Sequence, residues 1–227
     1  MYPLNEEFGT RDLSPNQNEP GTPHNFQLTP GPFGRPNGSY WLSGTSSSYI
    51  EFPNDGGLDT RYSFTSLVWV FPENVDGPIV NYGTDNFGVH LWILDNKIFA
   101  RSVTRLGGLG PVQTKSVQHH AWNFIGFSYD YDIGVQKLWI EGKVYDVLTA
   151  DQFEQRTQDN IRMGKRDGDL RFFKGRISCL QLYNKALTER EVQAVRGMCF
   201  RKGWSPHNCL LPTQTWFLKF NVEILHF

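Results

Sequence analysis

Residues 175–197 constrain the fold more than any other stretch, because a strand period and a helix period meet there without a linker. Residues 175–183 are short, rich in Ile, Leu and Tyr, and bounded by Gly175 and Asn184, which predicts a strand. Leu180 and Leu182 share one phase while Ile177 sits one residue out of step. That offset predicts either a bulge near Cys179 or cover on both faces. A helix follows at once. Thr188 can accept from the Glu191 N–H while the Glu191 side chain reaches back, a capping box worth on the order of 1 kcal/mol. Leu187 and Val192 form the matching hydrophobic staple, and Gly197 ends the run.

The rest of the chain reads as strands. Residues 62–71 are apolar on both phases and stop at Pro72, which predicts a central strand covered twice. Residues 79–82, 87–94 and 97–103 follow, separated by turns, and Gly107, Gly108 and Gly110 mark a mobile loop. Residues 122–131 form another core strand, linked through residues 132–134 to a strand at 135–140. Glu141-Gly142 then turns the chain into residues 143–147. Glu is a poor residue for positive φ, so this pair predicts a turn unlike that of Asn-Gly. Residues 1–60 are dense in Pro, Gly and Asn, yet residues 2–4, 25–28 and 49–52 read as edge strands between turns rather than parts of a flexible leader. An aromatic content of 15% favours pleated sheets with large cross-strand pairs.

Several function classes are excluded or weakened at this level. Lys+Arg 22 against Asp+Glu 23 leaves a net charge of −1, so nothing attracts the whole chain to nucleic acid. No apolar run approaches the ~18 residues of a membrane span. The first residues carry neither a basic nor an apolar leader, which predicts a cytosolic protein or an internal piece of a longer secreted chain. The cysteines are Cys179, Cys199 and Cys209, and an odd number leaves one thiol free or paired outside this chain.

Phe173, Gly175, Ile177, Tyr183, Asn184, Leu187, Thr188 and Glu191 resemble the closing signature of laminin-G-like domains, within the concanavalin A-like lectin/glucanase fold. The opening is similar too: an Asp12-x-Ser14 turn, where the family commonly follows with Gly and this chain has Pro15, then a Gly-rich lead into residues 48–53. The hairpin at 122–147 and residues 160–164 complete the order, so the likeness spans residues 2–199. It implies an all-β antiparallel sandwich of jelly-roll type with one short C-terminal helix. The domain is then residues 1–199, and residues 200–227 are a C-terminal extension of unknown structure with an amphipathic alternation at 216–225.

The resemblance further implies a non-catalytic extracellular module that recognises glycans or matrix and cell-surface proteins. Two alternatives stand beside it, a degenerate glycanase and a purely structural domain of a larger adhesion protein. Glycanases of this fold set Glu-x-Asp-x-x-Glu on one strand so that period-2 spacing aims the carboxylates into one cleft. Here Glu51, Glu73, Glu141 and Glu154 stand alone, and no Gly-x-Ser-x-Gly elbow or phosphate loop occurs. Zinc is disfavoured, since His119 and His120 point apart on a strand and His207, Cys199 and Cys209 lack ligand spacing.

Calcium at a rim site is the cofactor the family suggests, and Asp85, Asp130, Asp132, Asp167 and Asp169 are its candidates. Turn-forming Asp residues without a metal are the competing explanation. Arg162, Lys165, Arg166, Arg171, Lys174 and Arg176 form a basic run, interrupted by Asp167 and Asp169, that suits a sulfated glycan. A mixed-charge sheet edge explains the same pattern. A Cys179–Cys199 disulfide would tie the helix to its strand and indicate an oxidising compartment, against two buried thiols or Cys209 as the partner of Cys199. Asn37 heads an Asn-Gly-Ser sequon in turn-rich surroundings, a glycosylation candidate.

Overall fold

A computed structural model of the chain describes residues 1–74, 76–83 and 87–200. It is a sandwich of two seven-stranded sheets whose strand pairings are all antiparallel. The first sheet runs β1 (Thr22–His24), β4 (Tyr49–Phe52), β13 (Ile161–Met163), β6 (Gly77–Tyr82), β7 (His90–Leu94), β8 (Lys97–Val103) and β9 (Leu109–Ser116). The second runs β12 (Lys143–Thr149), β11 (Val135–Ile140), β10 (Asn123–Asp130), β5 (Phe64–Pro72), β14 (Lys174–Tyr183), β3 (Ser39–Ser43) and β2 (Phe26–Thr29). The helix α1 (Glu189–Val195) lies on the outside of the second sheet.

Two cores hold this arrangement. Between the sheets pack Ile50, Phe52, Ile79, Leu91, Ile93, Phe127 and Leu138, among others. On the outer face of the second sheet, Leu67, Trp69, Phe124 and Trp139 meet Leu187, Val192 and Val195. β5 supplies both, with Phe64, Val68 and Val70 inward and Leu67 and Trp69 outward, so its two-phase apolar pattern is that of a central strand covered twice. The capping box forms as expected, Thr188 accepting from Glu191 N and Glu191 accepting from Thr188 N.

The bulge in β14 is real and has a purpose. The register against β5 shifts between Ser178 and Gln181, and Cys179 takes φ 54°. Ile177 and Leu180 can therefore both face the inter-sheet core, while Cys179 is turned to the helix side. There it forms a disulfide with Cys199, 20 residues on. Cys209, its competitor, and the alternation at 216–225 lie outside the described residues. Phe200 packs edge-on to Trp69 and Phe33.

Three expectations need correction. The Glu141-Gly142 turn does use positive φ at both residues, 52° and 77°. Tertiary bonds impose it: the Glu141 carboxylate accepts from Phe124 N at 2.9 Å, Glu141 N donates to the Phe124 carbonyl at 2.7 Å, and Arg196 pairs with the carboxylate. Gly107 and Gly108 make only a tight tip, after which β9 pairs with β8. Finally, in residues 1–60, β1 and β3 are strands that the periodicity does not show, while the strand expected at 2–4 is only an isolated bridge from Tyr2 to Leu180.

Candidate functional site

The basic run does not form one patch. β13 belongs to the first sheet and β14 to the second, so residues 162–176 cross from one layer to the other. Within β13, Arg162 bonds its cross-strand partner Glu51 of β4 at 3.0 Å and pairs with Asp167 at 2.7 Å. Lys165 also contacts Asp167, and Arg166 and Arg171 share Asp169. Hydrogen bonds from Arg171 outweigh burial and hold the Asp169 carboxyl well below the usual carboxylate range. Arg166 lies 4.1 Å above the Phe87 ring and Arg171 5.0 Å above Trp92, stacking that anchors both guanidinium groups to the first sheet. On the far side, Arg176 stacks on Phe71 and sits 3.9 Å from Glu73. Lys174 alone has no carboxylate partner among the described residues.

Four of the five acidic candidates for calcium lie among the described residues. Asp167 and Asp169 serve the arginines, and Asp130 accepts from Asp132 N at 3.2 Å within a turn. Asp85 lies outside the described residues. Among the described residues no three His, Cys, Asp or Glu side chains gather where they could hold a metal ion. The four isolated glutamates are structural ties: Glu51 to Arg162, Glu73 to Trp41, Glu141 to Phe124 and Glu154 to Arg61. They form no acid–nucleophile pair. Asn37 is partly exposed at φ 47° and donates to Glu6 at 3.0 Å, while Ser39 of the same sequon is buried in β3.

A polar cleft of about 490 Å³ opens at one end of the sandwich, built from four separate segments. Its first wall is the turn at 14–18. The Asp12 carboxylate accepts from Ser14 N at 2.9 Å, Ser14 Oγ at 2.8 Å and Asn18 N at 3.0 Å. Gln17 N closes on the Ser14 carbonyl at 3.2 Å, so Pro15 occupies the second turn position, where its fixed φ is favourable. The Pro that departs from the family pattern thus strengthens the turn, and it places Asn16 at the rim.

The second wall is curled by Asn54, whose Oδ1 accepts from Gly56 N and Leu58 N. At Gly57 a Cβ would stand 2.0 Å from Asn18 Oδ1, so a larger residue would push the Asn18 side chain aside. The end of β14 with Asn184 and Lys185 makes the third wall, and Tyr2 lies at the floor beside Phe52.

Charges in this cleft are balanced internally. Burial alone would raise the Asp59 carboxyl, but bonds from Arg105 at 2.8 Å and Thr157 at 2.7 Å hold it below its ordinary value. Lys185 bonds Glu191 at 2.7 Å. What remains uncommitted is polar and neutral. The side chains of Asn16 and Asn184 are exposed and make no hydrogen bond among the described residues, and the wholly buried Tyr2 hydroxyl has no partner. Only the Asp12-x-Ser14 turn and the Gly56-Gly57 pair signal this site in sequence.

A two-sheet antiparallel sandwich with a short helix packed outside is the architecture of lectin-like domains. Residues 43–193 match a laminin-G family model described as the concanavalin A-like lectin/glucanases superfamily. The chain belongs to that superfamily. A comparison with curated proteins gives no match. Among solved structures, the binding domain of Paraclostridial Mosquitocidal Protein 1 is similar at 17% identity and TM-score 0.68, over 86% of this chain and 51% of that one. The botulinum neurotoxin serotype G binding domain is similar at 14% identity and TM-score 0.68, over 86% and 50%. The serotype D ligand binding domain in complex with N-acetylneuraminic acid follows at 15% and 0.67, over 86% and 49%. The chain spans about half the length of each, and at these identities the likeness is one of fold. Among the described residues, no helix is long and apolar enough to cross a membrane.

Proposed function

We propose that this chain is a non-catalytic recognition module, working outside the cell, whose loop-built cleft holds a glycan. The observation that carries this is the set of uncommitted carboxamides at the cleft rim, Asn16 and Asn184, around a neutral polar floor. A carboxamide donates and accepts at once, which is what adjacent sugar hydroxyls require. Superfamily membership and the disulfide support the reading, since disulfides persist in oxidising compartments. Similar folds take ligands of both classes: one structure is bound to N-acetylneuraminic acid and another to rat synaptotagmin II. A glycan array probed with and without calcium tests it. Binding by the parent that is lost in an Asn16→Ala/Asn184→Ala variant is expected, and an array signal indifferent to both substitutions overturns the placement.

A second reading rests on Lys174, which lacks a carboxylate partner, and on Arg171, whose side chain is 39% exposed. In it, the edge around residues 162–176 attracts sulfated glycan, with affinity that falls steeply with salt. Earlier elution of an Arg171→Ala/Lys174→Ala variant from a heparin column supports this; unchanged elution removes it.

A further inference from the structure

We infer that the cleft selects uncharged, hydroxyl-rich saccharide units and rejects sulfated or carboxylated ones; this rests on the cleft being the glycan site. The charge inventory makes the selection. Each cation near the cleft is already paired, the Met1 ammonium with Asp12 at 2.6 Å, Arg105 with Asp59 and Lys185 with Glu191, so no unpaired positive group is available to an anionic ligand. Asp12 and Asp59 are neutralised by these partners, while Asp55, next to the Gly56–Gly57 wall, accepts from Gly57 N and has no ion pair among the described residues. A sulfate or carboxylate entering would lose hydration, find no unpaired cation to replace it, and lie near the Asp55 carboxylate.

Neutral hydroxyls meet the opposite situation. Asn16 and Asn184 each offer a donor and an acceptor from opposing walls. Beneath the floor lies one further donor, sealed from solvent and open to a guest only when the wall above it shifts. The Tyr2 side chain is held by its ring against Phe52, with centroids 4.5 Å apart, and its hydroxyl bonds nothing in the protein. Burial, then Asp12, Tyr82 and Asp55, push its ionisation far above the ordinary tyrosine range, so it remains protonated at any physiological pH. The neighbouring Tyr82 hydroxyl is already spent on the Leu58 carbonyl at 3.1 Å. A buried hydroxyl without a partner is costly unless a guest completes it. A cavity of about 490 Å³ is within the range that accommodates a small polar ligand, here one or two sugar units.

The test is titration calorimetry with neutral oligosaccharides and with sialylated and sulfated forms of the same backbones. Parent, Tyr2→Phe, Asn16→Asp, Asn184→Asp and Arg171→Ala/Lys174→Ala proteins are compared. Neutral forms are expected to bind, and their charged counterparts to bind at least tenfold more weakly. Tyr2→Phe should weaken neutral binding about fivefold to tenfold, the worth of one buried hydrogen bond, with the thermal midpoint unchanged or higher. Each Asn→Asp change should weaken it further, while the Arg171/Lys174 variant binds as the parent does. Binding of charged forms alone, lost with Arg171 and Lys174, overturns this selectivity and leaves the glycan-binding reading intact. Neutral binding equal in parent and all three cleft variants also overturns it. No binding of any glycan class overturns both.

Discussion

His90 makes stability depend on pH in a window set by its burial. It is 3% exposed on the outer face of the first sheet, stacked on Phe99 at 5.7 Å, with Nδ1 2.8 Å from the Gly88 carbonyl, to which it donates. Burial lowers its pKa to about 4, the Gly88 bond opposes this, and the Arg101 and Arg166 charges add to the lowering. The native imidazole is therefore neutral, while the unfolded chain takes up a proton below its ordinary value of 6.5. Stability from this group is whole above pH 6.5, falls as pH drops, and stops falling below about pH 4. Protonating the unfolded chain alone costs roughly 1.4 kcal/mol for each step of one in pH, so the loss across the window is about 3 kcal/mol. Urea denaturation of the parent and of His90→Asn at pH 7.5, 6, 5 and 4 isolates the contribution, because all other groups cancel in the difference. Asn keeps a donor near the Gly88 carbonyl and cannot titrate. The parent should lose about 3 kcal/mol relative to the variant between pH 7.5 and 4. Parallel curves would show that His90 is protonated in the folded protein, refuting the assignment to burial.

Further outcomes follow from individual residues. Reducing the Cys179–Cys199 bond releases a loop of 20 residues and should cost about 3 kcal/mol; non-reducing peptide mapping that finds both thiols free would remove the bond. Gly175→Ala puts a Cβ 2.3 Å from the Phe71 carbonyl oxygen at a φ of +146°, so a loss of about 3 kcal/mol or more in denaturation is expected. We propose Asn37 as a glycosylation site, so protein from a secretory host should lose one glycan mass on glycosidase treatment, and Asn37→Gln should abolish that shift.

Short-range physics was legible in the sequence because its partners lie a few residues apart. The Thr188–Glu191 capping box, the Leu187/Val192 staple, the 97–103 and 135–140 strands and the doubly covered 64–72 strand all follow from local period and composition. Even the bulge at Cys179 appeared, as a phase slip between Ile177 and Leu180, since an alternation of two cannot absorb an extra residue otherwise. Sheet membership was not legible. The strands at 161–163 and 174–183 adjoin in sequence yet fall in opposite layers, and only that separation shows why the basic run never becomes one patch.

Charge pairing was decided at the same level. Glu51 and Glu73 reach the run from more than a hundred residues away, and no local pattern predicts that they quench Arg162 and Arg176. Glu141 adopts a backbone conformation its propensity disfavours because Phe124 and Arg196 bond its side chain, a long-range gain that outweighs a local cost. The cleft is the extreme case. Tyr2, Asn16, Gly57 and Asn184 lie far apart in the chain, each ordinary alone, and line one cleft only because β14 pairs with the first residues through Tyr2 and Leu180.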